Sequence, residues 1–195
     1  LINFNKKVYN SIGIQLTNVE IQWAKEELKN MKLEFPMALF PFSVASSRSI
    51  PNKKIKEWLN GSNQSVLVLG SKEDATLANS LIDECAGIKL INLCGKYSMR
   101  ESMALISVCQ FALASDSGLG HISASLGIPT ISFFGAGDSE MTKPIGKRTF
   151  VINKDVYCSP CRKNVCVNTK DHLYCFNEIF QIDVKEAIQS LNLNP

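Results

Sequence analysis

The sequence of 195 residues is long enough for one large domain with a buried core. Hydrophobic residues make up 45% and charged residues 20%, as in ordinary globular proteins, and the net charge of +3 is too small and dispersed to indicate a nucleic-acid-binding surface. No apolar run approaches the roughly 20 residues of a membrane span. The amino end shows no signal peptide. Because the chain begins with Leu1 and not with Met, we expect a fragment, a processed product or a domain of a longer polypeptide.

Strand and helix patterns alternate along most of the chain. The first 16 residues have no clear period, and a helix is predicted over 19–31 with Thr17 or Asn18 as its cap. Short apolar runs predict buried strands at 37–42, 65–69, 89–93, 111–114, 129–134 and 149–152. Helical spacing between and after them predicts helices at 51–60, 73–86, 99–109, 118–126 and 179–191.

This alternation predicts an α/β fold with a Rossmann-like, doubly wound parallel sheet, because continuous apolar strands need both faces of the sheet covered. We expect residues 1–35 to form an interdomain arm, or linker, and a helix. Residues 36–195 are expected to form the Rossmann-like domain itself, with a cysteine-rich loop at 157–176.

A polar turn with two glycines follows the predicted fourth strand. Gly118 and Gly120 remove side chains where the next helix begins, so backbone N–H groups can meet an anion there. If the strand order is 3-2-1-4-5-6, this turn faces the loop at 43–49, in which Arg48 supplies a cation. The sequence therefore predicts a phosphate or diphosphate site. The alternatives are an ordinary strand-to-helix turn and a solvated Arg48.

Seven cysteines divide into two groups. Cys85, Cys94 and Cys109 lie in segments that are predicted to be core, and four more follow the spacing C-x2-C-x4-C-x8-C. Those four are Cys158, Cys161, Cys166 and Cys175. Four thiolates suit a tetrahedral structural site for zinc or iron, and this cysteine usage is typical of a reducing cytoplasm. Free thiols or two local disulfides are the alternatives.

Several motifs in order resemble glycosyltransferase family 9, the bacterial lipopolysaccharide heptosyltransferases. Residues 116–130 are similar to the family block D-[ST]-G-x-x-H-x-x-A-x-x-[GN]-x-P-T. Residues 46–51 resemble its S-[KR]-x-W-P segment, with Ile50 where the family usually has Trp. Residues 70–74 resemble a G-x-x-x-E turn with Asp74 in the acidic place, and residues 92–98 resemble N-L-x-G-K-x-S.

The cysteine run is similar to the C-x-P-C…C…H-x-C run of heptosyltransferase II-like members, so the resemblance covers about residues 12–190. It implies the carboxy-terminal, donor-binding domain of an inverting GT-B glycosyltransferase that transfers heptose from ADP-heptose to the lipopolysaccharide inner core. The acceptor and the general base belong to an amino-terminal domain, so this chain alone is expected to bind donor without turning it over. The whole enzyme is expected in the cytoplasm at the inner face of the inner membrane, where peripheral membrane contact is compatible with this role.

By the same resemblance, Arg48 is the catalytic residue that stabilises charge on the leaving nucleoside diphosphate, and no cofactor is required for catalysis. Asp74 is expected to hold the ribose, with a first-turn acid as the alternative. Asp116 would orient the turn or contact the sugar, with a helix N-cap as the alternative. His121 is favoured as a residue that fixes the loop. The expected donor-binding residues are Ser47, Arg48, Gly70, Asp74, Lys96, Asp116, Ser117, Gly118, Gly120 and His121.

Other functions compete with this interpretation. A non-catalytic nucleotide-binding module or a transferase for a different nucleotide sugar stays open. A sugar-nucleotide epimerase is disfavoured because its catalytic histidine and acids find no match. A hydrolase triad is also disfavoured, because Ser117, His121 and Asp116 are neighbours on one turn and no G-x-S-x-G elbow exists.

Overall fold

A computed structural model describes residues 13–192. The strands are β1 Met37–Phe40, β2 Val66–Val68, β3 Leu90–Asn92, β4 Ala112–Ser115, β5 Thr130–Phe134 and β6 Thr149–Asn153. The helices are α1 Asn18–Asn30, α2 Asn52–Leu59, α3 Ala75–Glu84, α4 Met99–Ser107, α5 Gly118–Ser125, α6 Ser139–Thr142, α7 Tyr174–Asn177 and α8 Gln181–Ser190. A short 3-10 helix, Ser46–Arg48, follows β1.

Every strand and every long helix that the sequence predicts is present, with ends that differ by a few residues. The 3-10 helix and the four-residue helices α6 and α7 were not predicted, because so short a segment carries no readable period. Most of the predicted arm, residues 1–12, lies outside the described residues.

The six strands form one parallel sheet in the order β3-β2-β1-β4-β5-β6. The assumed strand order and the predicted fold class are therefore confirmed. In β1, Ala38 pairs with Leu67 of β2 on one side and with Ala112 of β4 on the other. Both faces of the sheet are covered, which explains why β1, β2, β4 and β5 are buried along their whole length.

Alternate residues of each strand enter one of two core layers. Met37 and Leu39 join the layer under α2, α3 and α8, where the rings of Trp58 and Phe133 stack at 4.3 Å. The indole N–H of Trp58 also donates to the carbonyl of Ile179 at 3.0 Å, so this large side chain is buried with its polar atom satisfied. The layer therefore ties the carboxy-terminal segment to α2.

The opposite layer holds Phe40 together with residues of α1 and α4. The Thr17 hydroxyl caps α1 and forms a capping box with Glu20, as one of the two predicted caps. Glu20 in turn pairs with Arg100 at 2.7 Å, and the Tyr97 hydroxyl donates to Glu27 at 2.7 Å. These contacts fix α1 to α4 and to the turn before it. Among the described residues, no helix has both the length and the apolar character needed to cross a membrane.

Candidate anion-binding site

The candidate site lies where the chain leaves β1 and β4, two adjacent strands from which the chain continues to opposite halves of the sheet. Two hydrogen bonds join the loops that follow these strands, and each loop donates one of them. The Ser115 hydroxyl donates to the Phe42 carbonyl at 3.0 Å, and the Ser43 hydroxyl donates to the Asp116 carbonyl at 3.3 Å. These two bonds therefore hold the loop that carries Arg48 against the loop that leads into α5.

The amino end of α5 is open toward this crevice. Ser117 is the N-cap residue, with extended backbone, but its side chain makes no capping hydrogen bond. Its Oγ atom is buried and has no hydrogen-bond partner. No atom lies within 4 Å of the position that a Cβ of Gly118 would take. Because a helix leaves its first N–H groups unpaired and carries partial positive charge at this end, an anion can approach the backbone here.

The second glycine of the turn has another use in the structure. Gly120 is buried, and its Cβ would lie 3.0 Å from the Cβ of Ala114 in β4. Its N–H donates to the Ser117 carbonyl at 3.2 Å. Gly120 therefore allows α5 to pack closely on β4, and its N–H is already engaged within the first turn of the helix. A contact of Gly120 with the nucleotide sugar stays a prediction.

Arg48 and Asp116 face each other across the crevice. A guanidinium nitrogen of Arg48 lies 3.4 Å from Asp116 Oδ2, and the two side chains are 32% and 6% exposed. Burial raises the pKa of the Asp116 carboxyl, and the nearby Arg48 and His121 oppose that rise. Because Ser117 occupies the N-cap position, the alternative of Asp116 as N-cap is wrong. A freely solvated Arg48 is also wrong, since it pairs with Asp116.

Three buried polar atoms of this crevice lack a hydrogen-bond partner: Arg48 Nε, Asp116 Oδ2 and Ser117 Oγ. Buried polar atoms are normally paired, so the two that can donate, Arg48 Nε and Ser117 Oγ, mark where a polar ligand would bond, whereas Asp116 Oδ2 already faces the Arg48 guanidinium at 3.4 Å. Arg48 lies in the loop after β1 and Ser117 at the start of α5, and the sequence predicts both as residues of this site. One cation and one helix amino end suit a phosphate-containing ligand, and the carboxylate of Asp116 lies where it holds the cation in place.

Gly137 packs directly against the carboxylate of Asp116. The sequence did not predict Gly137 as part of the site. A Cβ at this position would lie 2.0 Å from Asp116 Oδ2, a distance that no real contact reaches. The available signal was the run Gly135-Ala136-Gly137 immediately after β5, since glycines at a strand end often mark close backbone approach.

The cysteine-rich loop, residues 157–176, reaches the same edge of the sheet, which the sequence did not predict. Ser47 is buried, its N–H donates to the Asn164 carbonyl at 3.1 Å, and its hydroxyl donates to the Lys163 carbonyl. Ser47 was expected to contact donor. In the structure both its N–H and its hydroxyl are engaged with the loop.

Three other predicted donor-binding residues lie one and two strands away from the crevice. Gly70 and Asp74 follow β2, and Lys96 follows β3 and is exposed. Asp74 Oδ2 accepts the N–H and the hydroxyl of Ser71, both at 2.8 Å, so this carboxylate organises its own turn. A ribose contact by Asp74 stays a prediction.

All seven cysteines are free thiols, and Cys85, Cys94 and Cys109 are buried as expected for core residues. In the cysteine-rich loop, burial is the main reason that the pKa of the Cys175 thiol rises to about 11, with smaller contributions from Cys158, Cys166 and Cys161. Amide donors approach two of the sulfurs: Asn168 lies 3.6 Å from Cys158 Sγ, and the Leu173 N–H lies 3.3 Å from Cys166 Sγ. Within residues 13–192, no three Cys, His, Asp or Glu side chains are gathered closely enough to hold a metal ion.

A family model described as glycosyltransferase family 9 (heptosyltransferase) matches residues 17–172, which is most of the chain. The chain belongs to glycosyltransferase family 9. The resemblance drawn from the motifs is therefore confirmed, and the Arg48 loop and the start of α5 both lie inside the matched range.

Sequence identity to individual members of family 9 is low. The chain is 30% identical over 110 residues to lipopolysaccharide heptosyltransferase 1 of Pseudomonas aeruginosa, covering 56% of this chain and 30% of that protein. It is 28% identical over 131 residues to lipooligosaccharide heptosyltransferase 2 of Campylobacter jejuni, covering 65% of this chain and 41% of that protein. The matched region thus spans less than half of these relatives.

Among solved structures, the Escherichia coli ADP-heptose lipopolysaccharide heptosyltransferase II superposes with a TM-score of 0.71 at 20% identity. The superposition covers 92% of this chain and 53% of the E. coli chain. This likeness shows that the family 9 chain shares the fold of about half of that enzyme.

Proposed function

We propose that this family 9 chain is the donor-binding domain of a heptosyltransferase and binds the diphosphate of a nucleotide sugar between β1 and β4. The observation that carries the proposal is that two buried hydrogen-bond donors, Arg48 Nε and Ser117 Oγ, have no partner and lie at the open amino end of α5. A diphosphate would accept hydrogen bonds from the first N–H groups of α5 and from the guanidinium of Arg48. Asp116 would hold Arg48 in place through their contact at 3.4 Å.

The same groups suit glycosyl transfer. As the bond between the sugar and the diphosphate breaks, negative charge grows on the leaving phosphate oxygen. A guanidinium and a helix amino end that are already aimed at that oxygen stabilise the charge without reorganising. In this proposal, the base that accepts the proton of the attacking hydroxyl belongs to the amino-terminal domain of the whole protein, so this chain alone binds donor and does not transfer sugar.

We propose ADP-heptose as the donor and the lipopolysaccharide inner core as the acceptor of the whole protein, working in the cytoplasm at the inner membrane. This step is supported by family membership and by the fold shared with the E. coli enzyme, which is named for ADP-heptose.

Calorimetric titration of the purified chain with ADP, UDP and GDP in parallel tests the proposal. We expect ADP to bind more tightly than the other two. Selective binding of UDP or GDP would keep the donor-binding role and replace the heptose donor by another nucleotide sugar. If a folded chain binds none of the three, the crevice is not a donor site on its own and the proposal fails.

We also propose that the cysteine-rich loop holds a structural zinc or iron ion through Cys158, Cys161, Cys166 and Cys175. Four free thiols on one short loop are a soft donor set that suits either metal, and the amide donors at two sulfurs are of the kind that stabilises thiolates. The side chains would close around the ion on binding, since the described part of the chain shows no assembled group of three donors. When bound, the metal would cross-link the loop.

Replacing Cys161 with serine is expected to abolish stoichiometric metal and to lower the melting temperature by about 5–10 °C, because a ligand that binds only the folded state stabilises it. Elemental analysis and thermal unfolding measure the two effects. Cys109→Ala, which removes a buried thiol outside the loop, should keep its metal. A wild-type chain that carries no metal and melts at the same temperature with and without a chelator would contradict the site.

A further inference from the structure

We infer that the cysteine-rich loop is a positioning element for the anion site, and that Ser47 is the positioning residue that joins this loop to Arg48. The inference rests on the proposed function for the identity of the ligand. The cysteine-rich loop contacts the crevice on two sides, one at Arg48 and the other behind Asp116.

The first support acts on Arg48. The 3-10 helix that carries Arg48 is a single turn whose start has no side-chain cap. Such a turn has little stability of its own, so its position depends on outside contacts. Ser43 anchors the start of the loop after β1 through Asp116, and Ser47 anchors the turn itself. Ser47 is 2% exposed, its N–H donates to the Asn164 carbonyl at 3.1 Å, and its hydroxyl donates to the Lys163 carbonyl. The neighbouring Ser46 hydroxyl also donates to Asn164, at 3.4 Å.

The second support acts on Asp116. The Arg162 N–H donates to the Ala136 carbonyl at 2.7 Å, and the Ser159 hydroxyl donates to the Gly135 carbonyl at 2.6 Å. The next residue, Gly137, lies against Asp116 so closely that no side chain fits between them. Residues 135–137 are thus held between the cysteine-rich loop on one side and the Asp116 carboxylate on the other.

These two supports couple the order of the loop to the geometry of the crevice. If the loop loosens, the Arg48 turn loses the bonds that hold it and Asp116 loses the backbone behind it. The coupling is reciprocal, so a ligand that orders Arg48 and Asp116 also protects the loop by the same factor. Because one lost side-chain hydrogen bond is a small effect, Ser47→Ala is expected to weaken ADP binding about fivefold and to leave adenosine binding unchanged.

Hydrogen exchange of the whole chain without nucleotide tests the coupling directly. In Ser47→Ala, amides in residues 158–168 should exchange faster than in the wild type, and Ser47→Thr should restore their protection. Ser49→Ala is the matched control, because its hydroxyl bonds only to Ser43 in the same loop and should leave 158–168 unchanged. In the reverse direction, Cys161→Ser should speed exchange in residues 43–50.

Unchanged exchange in both segments would overturn the inference, whatever the wild-type chain binds. Equal acceleration of residues 158–168 by Ser47→Ala and Ser49→Ala would also overturn it, since Ser47 would then have no special role. A wild-type chain that binds no ADP would contradict the proposed function instead, while the exchange data decide the coupling. A fivefold loss of ADP affinity together with faster exchange in Ser47→Ala supports both.

Discussion

Replacing Arg48 with alanine is expected to weaken ADP binding by about 10- to 100-fold and to leave adenosine binding nearly unchanged. A hydrogen bond to a charged group contributes about 1.5–3 kcal/mol, and each 1.4 kcal/mol is about tenfold in affinity. The guanidinium lies beside the helix end where the diphosphate would bind, so only the charged part of the ligand loses its partner. Parallel titrations with ADP and adenosine separate the two effects.

Two further variants complete this experiment. Arg100→Ala removes an arginine from an exposed ion pair with Glu20, away from the crevice, and should bind ADP like the wild type. Arg48→Lys keeps the charge but loses the planar fork, so its affinity should fall between those of the wild type and Arg48→Ala. Equal losses of ADP and adenosine affinity in Arg48→Ala would contradict the role given to Arg48.

Replacing Gly137 with alanine is expected to lower stability by about 1–3 kcal/mol and to reduce ADP affinity in the same variant. The new Cβ would lie 2.0 Å from Asp116 Oδ2, so either the carboxylate or residues 135–137 must move. Asp116 cannot move freely, because it contacts Arg48 and its carbonyl accepts from Ser43. Denaturant unfolding and ADP titration measure the two losses.

A double mutant shows whether the clash is the cause. Asp116→Ala removes the carboxylate that Gly137→Ala strikes, so adding Gly137→Ala to Asp116→Ala should cost little further stability. Gly118→Ala serves as the stability control, because nothing lies within 4 Å of its new Cβ. Additive losses in the double mutant would show that the contact between Gly137 and Asp116 is not responsible.

The strands were predictable from local pattern, whereas their order was assumed as a common one for doubly wound sheets and is confirmed by the structure. Each strand is a short apolar run between turn residues, and right-handed crossovers leave few arrangements for six such strands. The approach of Arg48 to the start of α5 follows from that topology, since loops after β1 and β4 meet at one edge. The short helix Ser46–Arg48 was not predictable, because tertiary contacts rather than periodicity maintain it.

The contacts between Ser47 and the cysteine-rich loop could not be predicted from the sequence, for a physical reason. The partners of Ser47 lie more than 100 positions further along the chain, in an irregular loop whose path no periodicity reveals. The glycines show the same limit. Gly118 and Gly120 look alike in sequence, yet Gly118 faces open space and Gly120 packs on Ala114. A glycine in the sequence therefore does not reveal whether its position packs against a neighbour or faces solvent; the fold decides this.

The hydrogen bonds of Ser115 with Phe42 and of Ser43 with Asp116 lie within the folded chain and fix the spacing of the loops after β1 and β4. The entropy lost in joining these two loops is therefore spent before any ligand arrives, and a ligand would have only the Arg48 turn and the Asp116 side chain left to order. Encounter with an anion then depends on diffusion and long-range charge attraction, which salt in the surrounding solution weakens. In the proposed donor site, selection among ligands would then rest on fit to this spacing, so we expect a bulkier anion to be rejected by shape and not by a slow rearrangement of the protein.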